Sequence, residues 1–173
     1  GWVVKTPPRL FFNVFSPDLS MPWDTEMEIL PGDKVWFNHI ASLNSLNIET
    51  EKGIYKFVPY DDLIVAIRDN EVIPLNGNIL LEEVKKEKAS FLDFREDIDY
   101  HRGIVRYAGK PNKAYLSDVM DMTDVQPGDM ITFTPNTYLY YLERASWNSN
   151  FGERLLVAQS RDIMALRRGE TVK

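Results

Sequence analysis

The side chains whose type and spacing could support chemistry are few. Asp97, Asp99 and His101 alternate, so an extended strand would place all three on one face, as a site of carboxylate and imidazole metal ligands requires. They stand in a densely charged stretch, where such alternation is the ordinary mark of a solvated acidic loop, and we read them so. Asp118, Asp121 and Asp124 recur every third residue but lack the glycine and the downstream glutamate of a calcium loop, which makes them a hydrated acidic hairpin. His39 follows Trp36-Phe37-Asn38 at the end of an apolar alternation, a position that suits a structural role. The chain has two histidines and no cysteine, so thiolate nucleophiles, disulfides and Cys-based zinc sites are excluded. It contains no Gly-Xaa-Gly, no phosphate-binding Gly-Lys-Ser/Thr, no Gly-Xaa-Ser-Xaa-Gly and no His-Glu-Xaa-Xaa-His. We therefore expect no catalytic residues, no metal and no cofactor.

Residues 85–102 carry more information. Ten of these eighteen residues are charged, Gly and Pro are absent, and the apolar side chains gather as Phe91, Leu92 and Phe94 with Ile98 close by. Charge keeps such a stretch soluble and weakly ordered, while a short apolar cluster supplies anchors for a groove on a partner. The plainer alternative packs Phe91 and Phe94 back onto the chain's own fold. Phe91, Leu92, Phe94 and Ile98 are the candidate partner-binding residues. Leu10-Phe11-Phe12 and Tyr138-Leu139-Tyr140-Tyr141 could also form contact surfaces, but alternation along strands would bury half of each in a core.

The elements that must carry these residues are strands, and they come in two sets. Ile29-Leu30-Pro31-Gly32-Asp33-Lys34-Val35-Trp36-Phe37 is answered, 96 residues on, by Val125-Gln126-Pro127-Gly128-Asp129-Met130-Ile131-Thr132-Phe133. Upstream, Gly1-Trp2-Val3-Val4 matches Gly103-Ile104-Val105-Arg106; downstream, Asp62-Leu63-Ile64-Val65-Ala66-Ile67 matches Asp162-Ile163-Met164-Ala165-Leu166. Landmarks repeated in one order imply a tandem duplication. Pro presets φ and Gly accepts φ > 0, so Pro-Gly-Asp reverses the chain into the alternating strand that follows. Asp62 and Asp162 should each cap a short helical turn that becomes a strand. Between the copies, Asn76-Gly77 is a tight-turn signal and Ile79-Leu80-Leu81-Glu82-Glu83-Val84 reads as a strand with no counterpart before Gly1. Many short strands with Gly/Pro turns predict small closed or nearly closed barrels.

Composition bounds the partners. The 173 residues carry 20 Lys+Arg against 26 Asp+Glu, a formal charge of −6, which repels phosphate backbones and argues against nucleic acid. The clearest basic cluster, Lys85, Lys86 and Lys88, is interrupted by Glu87. The longest strongly apolar run, Leu63 to Ile67, is far too short to cross a bilayer, so no membrane is expected. No signal peptide is visible, and the lack of cysteine leans toward the cytoplasm.

These residues resemble the chaperonin-10 (GroES-like) co-chaperonins. Ile73-Pro74-Leu75 and Ile79-Leu80-Leu81-Glu82 are similar to that family's opening strand, and residues 85–102 take the place of its mobile loop. Gly103-Ile104-Val105, Pro127-Gly128-Asp129 with Ile131 and Phe133, and Asp162 to Leu166 follow in the family's order. The first copy matches from Gly1-Trp2-Val3 onward, with Val35-Trp36-Phe37-Asn38-His39 and Val58-Pro59-Tyr60-Asp61-Asp62 especially similar. The resemblance implies β-barrel subunits joined in a ring, contact with a double-ring chaperonin through the mobile loop, and no catalysis by the cap. The chain departs from the family in holding two barrels, in lacking the first opening strand, and in an apolar loop cluster unlike the usual Ile-Val-Leu triplet.

The expectation is an all-β chain of two tandem GroES-like small β-barrels. Residues 1–70 form the first, without its opening strand, and residues 71–173 the second, with the loop at 85–102. Its expected function is that of a co-chaperonin-like protein that binds a chaperonin ring and assists folding, homo-oligomeric in its full-length form. The rival is a structural or assembly protein that uses the barrel pair as a rigid module. Ile79 to Val84 should serve the second barrel and could also pair with the closing segment at residues 62–67 of the first. The second closing segment would then want a strand from another chain, so rings of the 173-residue chain alone should form poorly.

Overall fold

A computed structural model of the chain describes residues 1–8, 27–37, 43, 45–85, 98–110, 125–133, 140–142, 155–159 and 162–169. The fold is all-β, built of antiparallel sheets. The chain divides into two units: Gly1–Asn76 with Gly109–Ser117, and Gly77–Ala108 with Asp118–Lys173. Among the described residues no helix is long and apolar enough to cross a membrane.

In the first unit, β1 (Lys34–Phe37), β4 (Leu63–Arg68) and β5 (Glu71–Pro74) form one sheet in the order β1-β4-β5. A separate ribbon joins β2 (Leu46–Thr50) to β3 (Gly53–Phe57). The β4–β5 hairpin closes through Asp69 and Asn70, both at positive φ (49° and 68°), so its strands meet as Arg68 opposite Glu71. Two consecutive left-handed residues give the turn whose twist matches antiparallel strands, and Asp and Asn accept that conformation more readily than most. The core gathers Ile29, Val35, Leu63, Ala66 and Leu75, with Val3, Phe37, Val58 and Tyr60 partly buried against it.

In the second unit a single sheet runs β11-β8-β7-β6-β10-β9. Its strands are β6 (Asn78–Lys85), β7 (Ile98–Ala108), β8 (Met130–Phe133), β9 (Tyr140–Leu142), β10 (Leu155–Gln159) and β11 (Ile163–Arg167). Ile79, Leu81, Val105, Val125, Ile131, Phe133, Leu156, Ala158 and Ile163 make its core. Gly103 lets β7 lie close on β6, since a Cβ there would fall 2.8 Å from the Leu81 Cβ.

Several expectations need adjusting. Glu71–Pro74, placed by sequence in the second domain of residues 71–173, pairs with β4 and clusters with the first unit, which extends to Asn76 rather than to residue 70. It is β5, and not Ile79 to Val84, that augments the first closing strand; Ile79 lies in β6, between β7 and β10. Ile98 to Arg102, assigned to the loop, form the start of β7, with Ile98 opposite Lys85. The helical turn before β4 spans Tyr60–Asp62 behind Pro59, and no side chain caps it, so Asp62 closes the turn instead of capping it. Asn76 and Gly77 do take the left-handed conformation (φ 56° and 69°) that the Asn-Gly turn signal requires.

Candidate functional site

The loop is anchored on the β6–β7 ladder. These strands pair from Ile79 opposite Ala108 out to Lys85 opposite Ile98, with irregularities between Leu80 and Leu81 and between Glu83 and Lys85. Lys85 and Ile98, the described residues on either side of positions 86–97, are thus paired at one ladder end. Phe91, Leu92 and Phe94 lie outside the described residues; Ile98 is the first residue of β7. Near this root, Arg106 Nη2 sits 2.6 Å from Glu82 Oε1, and Arg102 Nε sits 3.1 Å from Asp99 Oδ2. The backbone N–H of His101 donates to Asp99 Oδ1 at 3.1 Å, so Asp99 is engaged locally. Asp97, His39, Asp118, Asp121, Asp124, Phe11, Phe12 and Tyr138 lie outside the described residues. Among the described residues no three His, Asp or Glu side chains gather as metal ligands.

The two Pro-Gly-Asp turns are built alike to the level of single hydrogen bonds. In the first, Asp33 N–H donates to the Leu30 carbonyl (3.1 Å), Gly32 N–H to Val3 (2.8 Å), and Val3 N–H to Asp33 (2.9 Å). In the second, Asp129 N–H donates to Gln126 (3.1 Å), Gly128 N–H to Val105 (2.8 Å), and Val105 N–H to Asp129 (2.8 Å). Gly32 and Gly128 take φ of 99° and 92°, which a side chain would strain. Each buried aspartate then receives an arginine from the end of the closing strand. Arg68 donates from Nε to Asp33 Oδ1 (2.9 Å) and from Nη2 to Oδ2 (2.7 Å) and to the Glu28 carbonyl (2.9 Å). Arg168 donates from Nη1 to Asp129 Oδ2 (2.7 Å), and Gly169 N–H donates to Oδ1 (3.2 Å).

These latches lock the turn to the closing strand, and sequence reasoning missed them. The signal was present: an arginine follows each matched closing segment, at Arg68 and at Arg168. The Arg68 hydrogen bonds hold the Asp33 carboxyl below the usual carboxylate range despite burial. At Asp129 burial pushes upward, but the Gln126 and Gly169 amides and Arg168 outweigh it and the carboxyl also ends low.

A second polar cluster lies in the first unit. Tyr60 Oη donates to Glu28 Oε2 (2.7 Å), Asn76 N–H reaches the same oxygen (3.2 Å), and Asn76 Nδ2 donates to the carbonyls of Tyr60 (2.6 Å) and Leu63 (3.0 Å). Burial raises the Glu28 carboxyl above its ordinary value, and these hydrogen bonds recover only part of the shift. Burial first and the Glu28 charge second push the Tyr60 phenol far up, so it stays a donor. The cluster pins the end of β5 to the chain before the Pro-Gly-Asp turn. No family model matches the chain, and neither a curated protein nor a solved structure does.

Proposed function

We propose that this is a co-chaperonin-like protein of the cytoplasm. Its two tandem units are small GroES-like barrels that act by protein–protein contact, without catalysis or cofactor. Residues 86–97 dock Phe91, Leu92 and Phe94 into an apolar groove of a chaperonin ring. The observation that carries this reading is the seating of that apolar, charge-flanked span between Lys85 and Ile98, two paired positions of one ladder. A span rooted at one point can order on a partner without disturbing the sheet below it. One such contact is weak, and a homo-oligomer would multiply it through effective concentration.

Mixing the protein with a double-ring chaperonin, with and without nucleotide, tests the reading by native mass measurement. A complex that is lost in the double variant Phe91→Ala, Phe94→Ala, with thermal stability nearly unchanged, is the expected result. No complex under either condition, or a large stability loss in the variant, would sink it, because the phenylalanines would then belong to a core. A second reading, a structural module in a larger assembly, is favoured by the β2–β3 ribbon, which exposes Leu46, Ile54 and Phe57. A single-chain mass in solution together with failure to bind the chaperonin would select it.

A further inference from the structure

Glu28 is a titratable side chain that neither the latches nor the candidate loop uses, and its neighbours grip it closely. Its Oε2 accepts from Tyr60 Oη at 2.7 Å and from the Asn76 N–H at 3.2 Å, while its own N–H donates to Tyr60 Oη at 3.3 Å. Its carbonyl accepts from Arg68 Nη2 at 2.9 Å. The Asn76 side chain turns its Nδ2 to the carbonyls of Tyr60 and Leu63, which fixes Oδ1 as the acceptor end of the amide. Asn76 is only 6% exposed, and no described group donates to that oxygen.

A buried acceptor left without a donor is costly, and a carboxyl becomes an O–H donor when it takes up a proton. The Glu28 carboxyl already lies against the backbone of Asn76, and burial favours its protonated form. The charges around it come from several elements. Arg68 of β4 is bound to Asp33 in the latch and also feels Glu71 and Asp69. Lys110 favours the ionised carboxylate, but burial outweighs it. Tyr60 is pushed far up and stays protonated. Asp61 and Asp62 belong to the turn that carries Tyr60, and burial first and Asp61 second raise Asp62, so its titration has to be separated from that of Glu28.

We propose that Glu28 and Asn76 form a proton-closed clasp on the end of β5, in which the protonated Glu28 carboxyl donates to Asn76 Oδ1 and keeps Oε2 as the acceptor for Tyr60 and the Asn76 N–H. Release of the proton to water spares those two bonds and breaks the third. Oδ1 is then left without a donor, and a charge stands in a partly buried site. The clasp holds Asn76, the first of the two left-handed residues of the Asn76-Gly77 turn, against the turn at Tyr60–Asp62. Its hold is fullest below the ordinary carboxyl value of 4.5 and weakens as pH rises through the raised one. The inference does not depend on chaperonin binding.

A pH titration of the carbon- and nitrogen-labelled full chain by NMR tests this. The Glu28 carboxyl carbon and the Asn76 side-chain carbonyl carbon should move together, with one midpoint above 4.5. Protection of the Leu75 and Asn76 amides, which donate to Ile64 and to Glu28, should fall by about threefold across that midpoint once the intrinsic pH dependence of exchange is removed, the worth of one modest hydrogen bond. Glu28→Gln carries a permanent N–H donor, so its protection should be flat with pH and equal to the acid level of the wild type. Asp62→Asn should leave the dependence in place. An Asn76 carbonyl carbon indifferent to the Glu28 titration would overturn the proposal without recourse to any variant. So would Glu28→Gln protection that is flat at the wild type's high-pH level, because removal of the charge would then restore nothing and the donor would not set the hold. A pH dependence abolished by Asp62→Asn would overturn it as well.

Discussion

The closing strands of the two units pair alike and end up in opposite environments. β4 meets β1 as Lys34–Ile67, Val35–Ala66, Trp36–Val65 and Phe37–Leu63, skipping Ile64; β11 meets β8 as Met130–Arg167, Ile131–Leu166, Thr132–Ala165 and Phe133–Ile163, skipping Met164. The irregularity falls at the same place, and each strand is latched by an arginine to the aspartate of its turn. Yet Leu63 to Ala66 are all buried, whereas Met164 and Ala165 are exposed. The difference is the neighbour. β4 is flanked on both sides, by β1 and β5, whereas among the described residues β11 pairs with β8 alone. Strand identity comes from the local pattern, and burial comes from who lies alongside.

The comparison can be broken most forcefully in the cores. Phe133 is 1% exposed, whereas its counterpart Phe37 is half-buried. Phe133→Ala should destabilise the second unit by about 3–5 kcal/mol, the usual range for a buried phenylalanine. Phe37→Ala should cost the first unit clearly less. Hydrogen exchange resolved by unit would report both, and equal losses would mean that the two cores are equivalent after all.

The latches come next. Asp33→Asn and Asp129→Asn each replace a buried carboxylate that accepts charged and backbone hydrogen bonds, and each should cost about 2 kcal/mol. Asp33 should lose more, because Arg68 grips both of its oxygens. Both folded-state carboxyls lie below the ordinary value of 3.8. Their contribution is thus full above that pH and is lost as pH falls through the depressed values. Acid unfolding followed in the wild type and the two variants should show the steep acid limb weakened in each.

The smallest effect sharpens the asymmetry. Glu28 lies above its ordinary value of 4.5, so the folded first unit binds that proton more tightly than the unfolded chain does. Its stability should decline as pH rises from that value through the raised one. Glu28→Gln should flatten this slope for the first unit by less than about 1 kcal/mol and leave the second unit unchanged. A slope unaltered by the substitution would detach Glu28 from the titration.

Much of the architecture was legible in local sequence. Pro31-Gly32-Asp33 and Pro127-Gly128-Asp129 announce their turns because proline and glycine constrain the backbone by themselves, whatever surrounds them. Asn76-Gly77 does the same. Alternation in Val35 to Phe37 and Ile131 to Phe133 marks strands because one face must be buried, and the order of these landmarks exposes the duplication. The candidate anchors Phe91, Leu92 and Phe94 are likewise legible as a cluster, since charge on both sides sets them apart.

Other features needed the third dimension. Glu71–Pro74 and Asn78–Lys85 are both apolar strands a few residues apart, and no local rule says that the first augments β4 while the second enters between β7 and β10. The charge around Ile98 groups it with the loop, but pairing opposite Lys85 makes it a strand residue. Arg68 and Arg168 look like ordinary surface charges until the closing strand returns them to a turn some 35 and 39 residues away in sequence. Turn chemistry and side-chain alternation are written residue by residue, because their causes are steric and local. Pairing order, latch partners and burial depend on which distant segment wins each strand edge, and only the assembled chain decides that contest.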